Sequence, residues 1–148
     1  MGKYDVLDIA KYFIDSELFL SNKKLQKLVY YAYVWYLVKN NNSNIIKNKL
    51  FESKIEAWVH GPVCPKLYYA YNNNTIRDYN VRNIDHDTKK LLEMILAVYG
   101  KYNGDTLESF THREMPWKKA REGYATLERC AQKIEDKDIY EFYSNQIK

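Results

Sequence analysis

Three histidines, His60, His86 and His112, and two cysteines, Cys64 and Cys130, are the side chains of this sequence best equipped for proton transfer, nucleophilic attack or metal binding. Their spacing gives little support to any of these. A helical zinc site needs two imidazoles one turn apart on the same face, and no pair of histidines has that separation. His60 and Cys64 do have it, but Pro62 and Pro65, between and beside them, preclude a regular helix there. A Cys64 thiolate with His60 or His112 as proton acceptor is the one covalent chemistry the composition allows. No Gly-rich phosphate loop and no carboxylate pair suggests another reaction. The expectation is a protein that is not an enzyme and uses no metal or cofactor.

Trp58 and Trp117 point to recognition instead of reaction. Each sits beside a turn stiffened by proline, Gly61-Pro62 in one case and Pro116 in the other. Each carries an indole N–H that requires a partner when buried. Two readings stay open. The indoles plug gaps around the core, or they line a groove together with Lys27, His60 and His112, where rigid aromatic side chains anchor a partner. The candidate binding residues are therefore Lys27, Trp58, His60, His112 and Trp117.

The element that must position them is the stretch Leu25 to Val38. After its first three positions it holds no charged residue and no helix breaker. A helix apolar on every side has to be covered on most of its circumference by the rest of the chain. At ~1.5 Å per residue it is roughly 21 Å long, too short for a membrane span of ~20 apolar residues. Ser21 or Asn22 can cap it, and Lys39 with the Asn-rich run after it stops it.

Around this helix the periodicity predicts a first helix capped by Asp5, with Val6, Ile9, Ala10 and Phe13 on one face and Asp8 favouring the dipole. Residues Glu17 to Leu20 are read as a connection. Ile45 to Lys54 is expected to be a loop with an extended piece near Leu50 and Phe51. The alternation from Ile55 to His60 reads as a strand ended by Gly61-Pro62, pairing with Leu50–Phe51 in a two- or three-stranded piece. Pro65 opens a helix through Leu67, Tyr68 and Tyr71, and Thr75 to Ile84 is a loop. Asp85 or Asp87 begins a helix carrying Leu91, Leu92, Ile95 and Val98. Asp105 and Glu108 are expected to form a capping-box pair at the head of a short helix, Thr106 to Phe110. Pro116 opens another helix. The tail reads as one or two helices, with Leu127, Ala131 and Ile134 followed by Ile139, Phe142 and Tyr143. The fold class is thus mainly α: a single-domain helical bundle over 1–148, around a buried central helix at about 25–38, with a small β element near 50–60.

At 148 residues the chain can bury a core without disulfides or metal. A net charge of +4 with both signs interspersed permits a nucleic-acid partner without arguing for one. Fifteen tyrosines invite the idea of an aromatic binding surface, although an AT-rich coding sequence would raise Tyr, Asn, Lys and Ile together. The unpaired cysteine spacing fits a reduced cytoplasmic setting, and the N-terminus lacks the apolar stretch of a secretion signal.

Leu25-Gln-Lys-Leu-Val-Tyr-Tyr-Ala, Leu50-Phe51, Ile55-Glu-Ala-Trp58, Gly61-Pro-Val63, Tyr68, Thr111-His112 and Pro116-Trp117, taken together and in this order, resemble the Panacea domain, the SocA-like antitoxin domain. The likeness runs from about Leu7 to Trp117. It implies a largely helical fold with a small β element, and an antitoxin that neutralises a cognate toxin encoded beside it by direct protein contact. In some members such a domain is an adaptor delivering the toxin to a cytosolic AAA+ protease. Toxin contacts would then fall on the groove or on the loops at Ile45 to Lys54 and Thr75 to Ile84. The alternative expectation is a phage-borne or host small-ligand or nucleotide-binding protein that modulates a host process through the same groove.

Overall fold

The computed structural model describes residues 2–16 and 20–146, so most of the expected connection from Glu17 to Leu20 lies outside the described residues. In order the elements are β1 (Gly2–Tyr4), α1 (Val6–Ser16), α2 (Asn22–Asn40), β2 (Lys49–Phe51), β3 (Glu56–Trp58), β4 (Gly61–Val63), α3 (Pro65–Asn72), α4 (His86–Tyr99), α5 (Gly104–His112), α6 (Met115–Ala120) and α7 (Asp136–Ser144). The fold is mainly α, as the periodicity implies, and no described helix is long and apolar enough to cross a membrane.

α2 is the axis. Every residue from Leu25 to Leu37 except Trp35 is buried, and α1, α3, α4, α5, α7, β2 and β4 all pack on it. Ser21 is its cap, accepting the Lys24 N–H at 3.1 Å. At the other end the Asn run is a folded loop: the Asn41 side chain donates to Leu37 O and Asn48 O and accepts the Lys47 and Asn48 N–H groups. Tyr30, Tyr31 and Tyr33 of α2 enter the core with their hydroxyls hydrogen-bonded. Tyr31 donates to Glu114 at 2.8 Å, Tyr33 to Asp136 at 2.7 Å, and Tyr143 of α7 to the same Glu114 oxygen at 2.7 Å.

α1 begins with a reciprocal pair: Asp5 accepts the Leu7 N–H and Asp8 accepts the Asp5 N–H. Asp8 does more than favour the dipole. It is fully buried and takes the Arg82 N–H and Nε at 2.9 and 3.0 Å, which ties the loop before α4 to α1. Asp85 caps α4 through the Thr88 N–H.

The β structure and the tail differ from expectation in three ways. Leu50–Phe51 does not pair with the later strand; β2 runs parallel to β1, with Gly2 opposite Lys49 and Tyr4 opposite Phe51. Gly61-Pro62 does not end the extended structure but begins β4, which pairs antiparallel with β3. Ala57 donates its N–H away from β4, to Gln132 O at 2.9 Å, so its partner Pro62 occupies a position where the hairpin requires no N–H. Finally, no helix forms at Leu127, Ala131 and Ile134. Leu127 is 80% exposed, and the chain there runs beside β3, with Lys133 bridging Glu56 and the Ile134 N–H reaching Ile55 O. Arg121 also holds the segment in this path. Its buried guanidinium takes the carbonyls of Ala57, Ala125 and Glu128, two of them from the segment a helix would have bonded internally.

The head of α5 is also corrected. Asn103 caps it through the Thr106 N–H at 2.8 Å, so the helix starts at Gly104 and Asp105 with Glu108 forms no capping box. Glu108, one turn in, reaches Lys23 of α2 at 2.8 Å.

Candidate functional site

The first turns of α2, the β3–β4 hairpin, the start of α3 and the segment 129–131 enclose a cleft of about 660 Å³, within the usual range for ligand sites of ~300–1,000 Å³. Gln26 ties two of its walls together: its Oε1 accepts the Cys64 N–H at 2.9 Å and its Nε2 donates to Cys64 O at 3.3 Å. An aromatic wall follows from the hairpin into α3. Trp58 meets Tyr68 edge to face with centroids 5.0 Å apart, and Tyr68 meets Tyr69 in the same manner at 5.5 Å. The Trp58 indole is oriented by Glu56, which accepts its Nε1–H at 2.8 Å.

Of the expected binding residues, Lys27, Trp58 and His60 line this cleft. His112 and Trp117 do not. They stack on each other, centroids 4.1 Å apart and planes 16° from parallel, and Trp117 donates its indole N–H to Trp58 O at 2.8 Å. The two tryptophan turns therefore meet, yet the five residues form no single groove. α5 and α6 lie behind the hairpin, and Trp117 supports the backbone of the residue whose ring faces the cleft. Beside the cleft a shallower depression of about 450 Å³ is lined by Lys23, His60, Asp105, Glu108 and His112 among others.

Glu108 joins these two regions. Its carboxylate reaches Lys23 at 2.8 Å, His60 Nδ1 at 3.1 Å and His112 Nε2 at 3.7 Å. Burial pushes its carboxyl up, but the hydrogen bonds from Lys23 and His60 prevail and hold it below the usual range. His112 is lowered, chiefly by burial, with Glu108 opposing. Its Nε2 is buried without a hydrogen-bond partner.

Lys27 lies beneath the hairpin, 1% exposed, and donates to Pro62 O at 3.1 Å. Burial pulls its ammonium down to about 7, against the pull of Glu108 and with a push from Lys23. The arrangement offers no activated nucleophile at Cys64. Its thiol is pushed up by burial and hydrogen-bonds to neither His60 nor His112. Among the described residues no group of His, Cys, Asp or Glu side chains is placed to hold a metal ion.

The model of the family described as antitoxin SocA-like, Panacea domain, matches residues 25–118, from α2 through both tryptophan turns. The chain belongs to that family. No curated protein and no solved structure matches it. The matched stretch supplies the floor and aromatic wall of the cleft in this Panacea domain, while residues 129–131, which complete it, lie beyond the match. Gln26, Tyr69 and Arg129 carry cleft geometry that periodicity did not single out. Gln26 reads as one more position of an enclosed helix. Arg129 falls in a stretch whose apolar spacing reads as helix.

Proposed function

We propose that this Panacea domain is an antitoxin that neutralises a cognate toxin by direct protein binding in the cytoplasm, with no reaction of its own. The observation that carries the reading is the family match across the residues that build the aromatic cleft. A half-open cavity with rigid aromatic walls is the kind of surface in which a partner's anchor side chain is desolvated. Delivery of the captured toxin to a AAA+ protease is a further role compatible with this binding. Co-expression with the product of the adjacent gene tests the reading. Growth is expected to be restored and the two proteins to co-purify; persistent arrest with no complex would reject it.

The cleft volume also favours a second reading, a small-ligand or nucleotide-binding protein. A tight ligand raises the melting temperature by mass action. A thermal-shift screen of nucleotides that leaves the transition unmoved removes this alternative.

A further inference from the structure

The charge around the cleft is one-sided. Lys23, Lys27, Lys54 and Arg129 line it against the single carboxylate of Glu56. Most of these charges are already committed. Lys23 is paired with Asp105 and Glu108, Lys54 with Glu56 at 3.1 Å, and Lys27 is turned under the hairpin to Pro62 O. Glu56 is saturated by Lys54 and the Trp58 indole. Arg129 is different: it is exposed at the rim and forms no ion pair or side-chain hydrogen bond among the described residues.

Its position is nevertheless fixed. The residue before it gives its carbonyl to Arg121 at 2.6 Å, and the residue after it, Cys130, is buried. The backbone that carries Arg129 is therefore held in place, and its planar guanidinium is suited to grip a carboxylate with two parallel hydrogen bonds. Tyr69 lines the same cleft, 55% exposed and braced edge-on by Tyr68. An exposed aromatic and an arginine without an ion pair among the described residues line one cavity, which therefore offers an apolar contact and a charged contact.

We infer that the cleft takes an acidic segment of the toxin, with a carboxylate on Arg129 and a neighbouring apolar or aromatic side chain against Tyr69, Tyr68 and Trp58. This rests on the toxin-binding reading and names the chemistry of the contact. A phosphate backbone fits less well, because Lys23, Lys27 and Lys54 are already engaged and Arg129 alone makes no continuous cationic track.

The test uses the whole chain and a defined probe, a Glu–Tyr copolymer, with a Lys–Tyr copolymer and oligo(dT) as comparators, binding being read by surface plasmon resonance. The variants are Arg129→Glu and Tyr69→Ala, both at exposed positions, and Lys89→Glu on α4, which makes the same charge change away from the cleft. Expected results are salt-sensitive binding of the Glu–Tyr copolymer, weakened roughly tenfold by each cleft variant and left within about twofold by Lys89→Glu, and no binding of the Lys–Tyr copolymer. Equal affinity across the variants, or oligo(dT) binding more tightly than the acidic copolymer, would overturn the inference. The same variants with the adjacent gene product separate the two claims. A toxin held equally well by wild type and Arg129→Glu overturns the acidic-segment site alone. If the wild type captures no toxin, the antitoxin reading fails, and the copolymer series still decides the chemistry of the cleft.

Discussion

At Lys27 a positive charge sits inside the core with a hydrogen bond to Pro62 O and the pull of Glu108 as its compensation. The folded chain releases that proton near pH 7, whereas an unperturbed lysine does so at 10.5. Below the folded value both states are charged and the folded state carries the whole cost of the buried ammonium. Between the two values the unfolded chain binds more protons, so stability rises with pH. Wild type should therefore gain about 2 kcal/mol over Lys27→Met between pH 7 and pH 9, as read by urea unfolding at both values. Parallel stability curves for the two proteins would show that Lys27 keeps an ordinary affinity for its proton. Trp117 makes a second residue-scale prediction. Trp117→Phe keeps the stacking surface against His112 but removes the bond to Trp58 O, and should cost about 1 kcal/mol in the same assay. That each indole beside a proline turn needs a partner was legible in the sequence. Which partner was not legible. Trp117 finds the backbone of the other tryptophan, and Lys27, although it lines the cleft, sends its ammonium to Pro62 O.

Among the elements, the hairpin shows what periodicity could not reveal. The alternation from Ile55 to His60 announces one strand, but the second strand is built from Gly61-Pro62-Val63, which local rules read as a stop. It forms because Gly61 adopts φ +107° and leaves room for Lys27 and Thr111. A Cβ there would lie 2.6 Å from Lys27 Cε and 2.9 Å from Thr111 Oγ1. Gly123 also has positive φ, +88°, but nothing lies within 4 Å of its would-be Cβ. Gly123→Ala should cost about 1 kcal/mol from backbone strain alone, and Gly61→Ala roughly 2–4 kcal/mol, by thermal or urea unfolding. Similar costs for the two would mean that the hairpin yields easily. Arg121 governs the other misread element. Local spacing of Leu127, Ala131 and Ile134 favours a helix, and a long-range bond from one buried guanidinium to Ala57 O outweighs it. Arg121→Met should leave α2 and its neighbours folded while releasing the segment 122–133, seen as new cleavage there in limited proteolysis at unchanged far-UV circular dichroism. An unchanged cleavage pattern would place the organising contact elsewhere.

The molecule as a whole follows from α2. A helix apolar all round forces the other elements to surround it, and this global feature was the most legible in the sequence because it needs only composition and a period of 3.6 residues. The cleft was less so. Its three sides come from α2, from the hairpin with α3, and from a segment near residue 130, and nothing local records that these meet. Family membership covers the first two sides. If the assembled cleft captures a toxin, as proposed, hydrogen–deuterium exchange on the co-purified complex will report it there. Exchange is expected to slow on toxin binding at 54–69 and 128–131, with the loop at 75–84 unchanged. Slowing confined to 45–54 and 75–84, with the cleft exchanging as it does in the free chain, would contradict it.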